Sequence, residues 1–149
     1  MILIDTNVLV YATLPGFPEH ASARRIVEDL ASRPEPLCLT WVNVFEYLRV
    51  VTHRRLVRPA PLPLERALAN VDALLGQPDV VRIDPGPRHW EMFALVCREA
   101  APVEGNFVHD CRIAAIMREN GVRRILTRDT SFRRIPGLEV VDLVSPGRT

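Results

Sequence analysis

The chain has 149 residues, of which 48% are hydrophobic and 25% charged, and its formal net charge is +1. This length predicts one domain over residues 1–149, and ordinary apolar content with little net charge excludes an intrinsically disordered chain. No run approaches the roughly 18 uncharged apolar residues of a membrane span, so we expect no membrane association. Because the first residues carry no basic segment of a signal peptide, we expect a cytoplasmic protein.

Predicted strands and helices alternate along the chain. Short apolar runs predict strands over residues 1–4, 37–39, 80–83, 124–126 and 138–141, and apolar residues at helical spacing predict helices over residues 19–31, 40–51, 64–75, 87–100 and 107–120. Gly121 is the expected stop after the last helix, and the proline-rich stretch 59–63 is interpreted as a loop rather than a polyproline ligand. This alternation predicts an α/β sandwich around a mainly parallel sheet of about five strands.

Missing residues and motifs exclude several functions. All 19 basic residues are arginines, so every mechanism that needs a lysine is excluded, including those of P-loop proteins and of phosphoacceptor receiver domains. The chain has no GxSxG motif, which argues against a serine hydrolase. The three cysteines have apolar neighbours and no CxxC spacing, so we interpret them as buried thiols.

Two aspartates directly follow predicted strands. Asp5 ends the first apolar run, and Asp129 follows Thr127 at the end of the fourth run. Open parallel sheets bind ligands beyond the carboxyl ends of their strands, so these positions favour a functional site. Each aspartate alone is equally typical of a turn or a helix cap.

Two further acids lie on predicted helices. Glu46 belongs to a narrow polar stripe with Asn43 and Arg49, on a helix that we otherwise expect to be mostly buried; it points into an internal cleft or is partly exposed and paired with Arg49. Asp110 lies in the first turn of its helix, where an acid also favours the helix dipole. Four acids that meet at one sheet edge would repel one another unless a cation neutralised them. Oxygen ligands without Cys or His favour Mg²⁺, with Mn²⁺ as the alternative.

The segments around these acids resemble the PIN-domain ribonucleases. The matching segments are Ile4-Asp5-Thr6-Asn7, the helical Glu46, Gly105-Asn106-Phe107-Val108-His109-Asp110 and Thr127-Arg128-Asp129-Thr130-Ser131-Phe132. Within that family, the chain is most similar to the VapC toxins of bacterial toxin–antitoxin pairs, from residue 1 to about residue 144. The resemblance implies a PIN-like three-layer sandwich, with the central sheet between two layers of helices.

The resemblance also implies an activity, that of a metal-dependent endoribonuclease toxin. Its acidic quartet corresponds to Asp5, Glu46, Asp110 and Asp129, with Asp5 and Asp110 as the main Mg²⁺ ligands and the other two completing the site. In the same way, Asn7 and Thr127 are expected to hold the carboxylates by hydrogen bonds. Many relatives carry another aspartate two residues after the fourth acid, where this chain has Ser131, and this departure puts a second metal position in doubt. The alternative function is a non-catalytic interaction or regulatory module on the same fold.

The expected partners are RNA, a second copy of the chain and an antitoxin. Arginines crowd the region after the Asp110 helix, and we hypothesise that Arg128 or Arg133 contacts RNA. The family resemblance implies a homodimer and a VapB-type antitoxin that wraps the toxin with a helix. Five large apolar side chains are candidates either for a groove that binds that helix or for the protein core. They are Leu14, Phe17, Trp41, Phe45 and Trp90.

Overall fold

A computed structural model describes residues 1–29 and 34–143, and its centre is a parallel sheet. The five strands are β1 (Ile2–Ile4), β2 (Leu37–Leu39), β3 (Val80–Arg82), β4 (Arg124–Leu126) and β5 (Glu139–Val141). Their order is β3-β2-β1-β4-β5, and all four pairings are parallel. The predicted α/β class and the five-stranded sheet are therefore confirmed.

Six α-helices and one 3-10 helix connect the strands within the described residues. They are α1 (Thr6–Thr13), α2 (His20–Glu28), α3 (Trp41–Val51), α4 (Leu64–Leu75), α5 (His89–Glu99), α6 (Phe107–Glu119) and the 3-10 helix Thr130–Arg134. Most predicted bounds agree within two residues, and Gly121 has the positive φ of 69° expected after α6. The exception is α2, which ends at Glu28, and the predicted helical residues 30 and 31 lie outside the described residues. Residues 144–149 also lie outside them, so one domain over the whole chain stays a prediction.

Side chains that alternate along the strands fill a separate core on each face of the sheet. Leu3, Cys38 and Ile125 point into the core formed with α5, α6 and the 3-10 helix. Their strand neighbours Ile4 and Leu126 point into the core formed with α1, α3 and α4. Since a strand exposes opposite faces at successive residues, continuous apolar runs are what a sheet covered on both sides requires. The result is the expected three-layer sandwich.

The strand order reverses between β1 and β4. From β1 the chain moves outward to β2 and β3 with its helices on one face, and it then crosses to β4 and β5 through helices on the other face. Parallel sheets open a crevice at such a reversal, beyond the carboxyl ends of the two central strands. A hydrogen bond of 3.1 Å from Asp5 N to Leu126 O extends the pairing to that edge.

Two elements were not predicted, namely α1 and the 3-10 helix. Residues 6–13 include Thr6, Val8, Val10 and Thr13, whose branched side chains lower helix propensity. The helix forms because Val8, Leu9 and Val10 are buried against the core, so tertiary packing overrides local preference. The 3-10 helix is capped by Asp129, whose Oδ1 accepts a hydrogen bond from Ser131 N.

The prediction that α3 is mostly buried is wrong. Trp41 and Phe45 are exposed and stack on each other with ring centroids 5.7 Å apart, and Arg82 lies over the Trp41 ring. Helix α3 buries only the side that carries Asn43, Val44, Tyr47 and Val51. No helix of residues 1–29 and 34–143 is long and apolar enough to cross a bilayer.

Candidate active site

Asp5 lies at the reversal of strand order, where the residue is only 7% exposed. Oδ1 accepts a hydrogen bond from Thr6 N at 2.7 Å. Oδ2 accepts from Thr127 Oγ1 at 2.6 Å and from Asn7 Nδ2 at 2.8 Å. Asn7 Nδ2 also donates to Thr127 Oγ1, so the two predicted supporting residues contact each other as well as the acid. This network fixes the orientation of the Asp5 carboxylate.

Asp110 and Asp129 are linked by Ser131. The Ser131 hydroxyl donates to Asp110 Oδ2 at 2.7 Å, and the Ser131 backbone N–H donates to Asp129 Oδ1 at 2.8 Å. Asp129 N in turn donates to Thr127 Oγ1 at 2.8 Å. The loop after β4 thereby connects the first turn of α6 to the buried Asp5.

Glu46 approaches the same edge from α3 and is less enclosed. Its Oε2 accepts a hydrogen bond from Thr6 Oγ1 at 3.3 Å, while its Oε1 pairs with Arg49 at 3.5 Å. The Glu46 side chain is 43% exposed. The structure favours the second alternative for Glu46, which is partly exposed and paired with Arg49, although its charge still acts on Asp110.

Burial and mutual repulsion raise the pKa values of two of the acids. Burial is the main cause that raises the pKa of Asp5 to about 6, and the charges of Asp110 and Asp129 raise it further, against hydrogen bonds that lower it. Burial likewise raises the pKa of Asp110 to about 6, and Asp129 and Glu46 add to the rise. The structure therefore brings all four predicted acids close enough to interact, at a cost in charge repulsion.

The chemistry of these donors fits a hard divalent cation, although the side chains are not arranged as a complete ligand set. No group of three Asp, Glu, His or Cys side chains in residues 1–29 and 34–143 is placed to hold a metal ion. Mg²⁺ often binds through only one or two protein carboxylates and keeps several waters. Carboxylates that repel one another and are partly desolvated offer the hard oxygen ligands that suit such a cation. Asp5 and Asp110 are the residues that would gain most from it.

The two arginines predicted to contact RNA differ in their surroundings. Arg128 pairs with Asp142 at 3.0 Å and with Glu19 at 3.5 Å, so its charge is already balanced. These carboxylates raise the pKa of the Arg128 guanidinium. Arg133 is exposed on the 3-10 helix and forms no ion pair with the described residues. Whether either arginine contacts RNA stays a prediction.

A groove of about 710 Å³ lies among α1, α2, α3 and α4, away from the four acids. Its apolar lining includes Leu9, Val27, Tyr47, Leu62, Val71 and Leu74. None of the five side chains suggested for a partner groove lines it. Four of those five, Phe17, Trp41, Phe45 and Trp90, are exposed rather than in the core, with Trp90 73% and Phe45 64% accessible.

Sequence reasoning missed two polar contacts of the site. Thr6 bridges Glu46 and the buried amide of Asn43, with 3.4 Å between Asn43 Nδ2 and Thr6 Oγ1. Ser131 was noted only as a departure from the family pattern, yet it contacts two of the four acids. The only available signal was that Thr6 directly follows Asp5 and that Ser131 lies two residues after Asp129.

Comparisons with known proteins agree with this geometry. The PIN-domain family model matches residues 2–138. Ribonuclease VapC43 of Mycobacterium tuberculosis is 39% identical over 134 residues, which are 90% of this chain and 89% of that protein. Ribonuclease VapC48 of the same species is 34% identical over 138 residues, which are 93% of this chain and 94% of that protein.

Solved structures of toxin–antitoxin proteins share the fold. VapBC2 from Rickettsia felis, bound to a promoter DNA fragment, matches with a TM-score of 0.66 and 20% identity over 95% of this chain and 98% of its own. VapC20 of M. tuberculosis, a toxin that cleaves the sarcin–ricin loop, matches with a TM-score of 0.65 and 21% identity over 89% of this chain and 93% of its own. At these identities the structural matches support the fold alone.

Proposed function

Because the chain belongs to the PIN-domain family and, within it, to the VapC ribonucleases, we propose that it is a toxin that cleaves RNA with the help of a divalent cation. The quartet Asp5, Glu46, Asp110 and Asp129 binds the cation, Mg²⁺ or in its place Mn²⁺. The observation that carries this proposal is the meeting of four carboxylates, from four separate elements, at the reversal of strand order.

Each residue of the site has a distinct part in this activity. Thr6, Asn7 and Thr127 hold the Asp5 carboxylate in one orientation. Asp5 and Asp110, whose raised pKa values reflect the cost of their charge, bind the cation most directly. A bound Mg²⁺ orients and activates a water and stabilises the leaving oxygen of the phosphodiester. Glu46 and Asp129 complete the negative site from its open side, directly or through water.

The experiment is cleavage of total RNA by the purified protein. We expect discrete fragments in the presence of Mg²⁺, and none with EDTA or with Asp110→Asn. In Asp110→Asn, the amide oxygen can still accept the hydrogen bond from the Ser131 hydroxyl, so we expect this variant to fold normally. A check that it is folded is therefore the control. If neither Mg²⁺ nor Mn²⁺ supports cleavage of any RNA by the folded protein, the alternative of a non-catalytic module on this fold is favoured instead.

The groove among α1–α4 is the site that we propose for a VapB-type antitoxin. The solved neighbours include complexes in which a VapC toxin is bound to its antitoxin. An open, apolar groove with polar residues such as Arg24, Glu28 and Arg66 among its lining suits an amphipathic segment. We expect Val71→Glu to prevent co-purification of the co-expressed antitoxin while RNA cleavage continues. Retention of the antitoxin by this variant would place its site elsewhere.

The exposed aromatic side chains of α3 and α5 support the proposal of a homodimer. Phe45 and Trp90 expose most of their surface, Phe45 in a stack with Trp41 and Trp90 beside Phe93, and exposed apolar patches often mark protein–protein contacts. Sedimentation velocity should give a dimer for the protein and a monomer for the double variant Phe45→Ser, Trp90→Ser. A monomeric unsubstituted protein would contradict this assembly.

A further inference from the structure

Ser131 donates hydrogen bonds to two of the four acids, one from its hydroxyl and one from its backbone N–H. Its hydroxyl proton is directed to Asp110 Oδ2 and its backbone proton to Asp129 Oδ1, at 2.7 and 2.8 Å. A serine hydroxyl has a single proton, so the bond to Asp110 uses all of its donor capacity. Asp110 and Asp129 are therefore held relative to each other through one residue.

The position of Ser131 is itself fixed by the core. The next residue, Phe132, is 1% exposed and lies in the same core cluster as Cys111, the neighbour of Asp110 on α6. Arg134, at the other end of the 3-10 helix, has its guanidinium over the Phe107 ring at 4.0 Å. The 3-10 helix and the first turn of α6 thus pack as one unit, with Ser131 between their acids.

Each acid that Ser131 contacts has a second carboxylate oxygen that Ser131 does not contact. Asp110 Oδ1 and Asp129 Oδ2 accept no hydrogen bond from the described residues, whereas Asp5 Oδ2 accepts two hydrogen bonds and Asp5 Oδ1 accepts one. A fixed carboxylate with one oxygen held by the protein and the other oxygen available is arranged as a ligand whose orientation is set in advance. A serine here provides this without adding another negative charge.

We propose that Ser131 is the positioning residue for the cation site, holding the Asp110 and Asp129 carboxylates ready to bind. An ionised aspartate at position 131 would only accept hydrogen bonds, so its side chain would repel Asp110 instead of orienting it. The inference rests on the proposed function, since it concerns the same cation.

The test measures Mn²⁺ binding by the full chain, using electron paramagnetic resonance of the free ion. Ser131→Ala removes only the hydroxyl, and we expect it to weaken Mn²⁺ binding by about 10- to 100-fold, the usual effect of losing a partner of a metal ligand. Ser131→Thr keeps a hydroxyl and should restore most of the affinity. Thr130→Ala, at the exposed neighbouring position, should bind Mn²⁺ like the unsubstituted protein.

A positioning role also predicts how RNA cleavage responds. Ser131→Ala should cleave poorly at low Mn²⁺ and regain most of its rate when the Mn²⁺ concentration is raised, which loss of folded structure would not allow. The inference is overturned if Ser131→Ala binds Mn²⁺ as tightly as the unsubstituted protein, or if Ser131→Thr binds it as weakly as Ser131→Ala. Either result leaves the proposed function standing. If the unsubstituted protein binds Mn²⁺ no better than Asp110→Asn, the proposed function fails, and this inference with it.

Discussion

The two sides of the acidic site are built differently. On the β1–β4 side, Asp5 is buried and its oxygens accept three hydrogen bonds from neighbouring residues. On the α3 side, Glu46 is half exposed and divides its oxygens between Thr6 and Arg49. A buried, fixed carboxylate is costly to keep charged and gains most from a cation, whereas an exposed one is already solvated. We therefore propose that the sheet edge supplies the principal cation ligand and that the Glu46 helix has an auxiliary role.

The largest expected effect comes from replacing one acid on each side. We expect Asp5→Asn to reduce RNA cleavage by about 1,000-fold or more, because a catalytic metal ion supplies several kcal/mol of transition-state stabilisation. Glu46→Gln should cost only about 10- to 100-fold, as expected for a residue that acts mainly through its neighbours. The rates are compared at saturating Mg²⁺, and circular dichroism checks folding. Equal losses in the two variants would show that the sides do not differ in function.

A smaller effect concerns stability in the absence of a cation. The pKa of Asp5 is raised from 3.8 to about 6, so the native state binds more protons than the unfolded state between those pH values. The free energy of unfolding should therefore fall as the pH rises through this window, by about 3 kcal/mol at most for Asp5. Asp110 follows the same direction.

The measurement is the melting temperature of Asp110→Asn relative to the unsubstituted protein, both in EDTA. The variant should be more stable by about 5 °C at pH 7.5 and by much less at pH 5, where the native carboxyl is largely protonated. Added Mn²⁺ should stabilise only the unsubstituted protein. Glu46→Gln, on the exposed side of the site, is the matched control. If its melting temperature rose with pH as much as that of Asp110→Asn, relative to the unsubstituted protein, the two sides of the site would not differ.

The smallest effect separates the two arginines. Arg133 has no ion pair within the described residues, while Arg128 is balanced by Asp142 and Glu19. Arg133→Glu should weaken RNA binding. It should also reduce the slope of log affinity against log salt concentration by about one, the contribution of one phosphate contact. Arg128→Glu should change the affinity less. Fluorescence anisotropy with a labelled RNA at several salt concentrations distinguishes them, and unchanged cleavage and binding in both variants would end the hypothesis that either contacts RNA.

The sequence predicted the sheet and the meeting of the acids because both follow from local patterns. Apolar runs such as 37–39 and 124–126 became strands with the expected bounds, and acids after strands β1 and β4 had to lie at the same sheet edge. Helix α1 was missed because its branched residues favour a helix only when packed. The exposure of Trp41 and Phe45 was missed because a pattern of apolar residues does not show which side of a helix remains uncovered.

The contacts that orient the acids were beyond sequence reasoning for a different reason. Ser131 and Asp110 are 21 residues apart, and Thr6 and Glu46 are 40 apart, so no spacing rule joins them. Such hydrogen bonds depend on how α6 and the 3-10 helix pack on the sheet. They are properties of the tertiary structure rather than of any local segment.

The bond between Thr127 and Asp5 joins residues 122 positions apart, and it has a consequence for the synthesis of this protein. Strand β1 leaves the ribosome early, but its site-side neighbour β4 follows more than a hundred residues later. Since domains fold only when their distant partners have emerged, the nascent chain has no assembled acidic site until β4 has emerged. The carboxylates at this seam are therefore brought together only after β4 has been synthesised, so an incomplete chain that lacks β4 carries no complete acidic site.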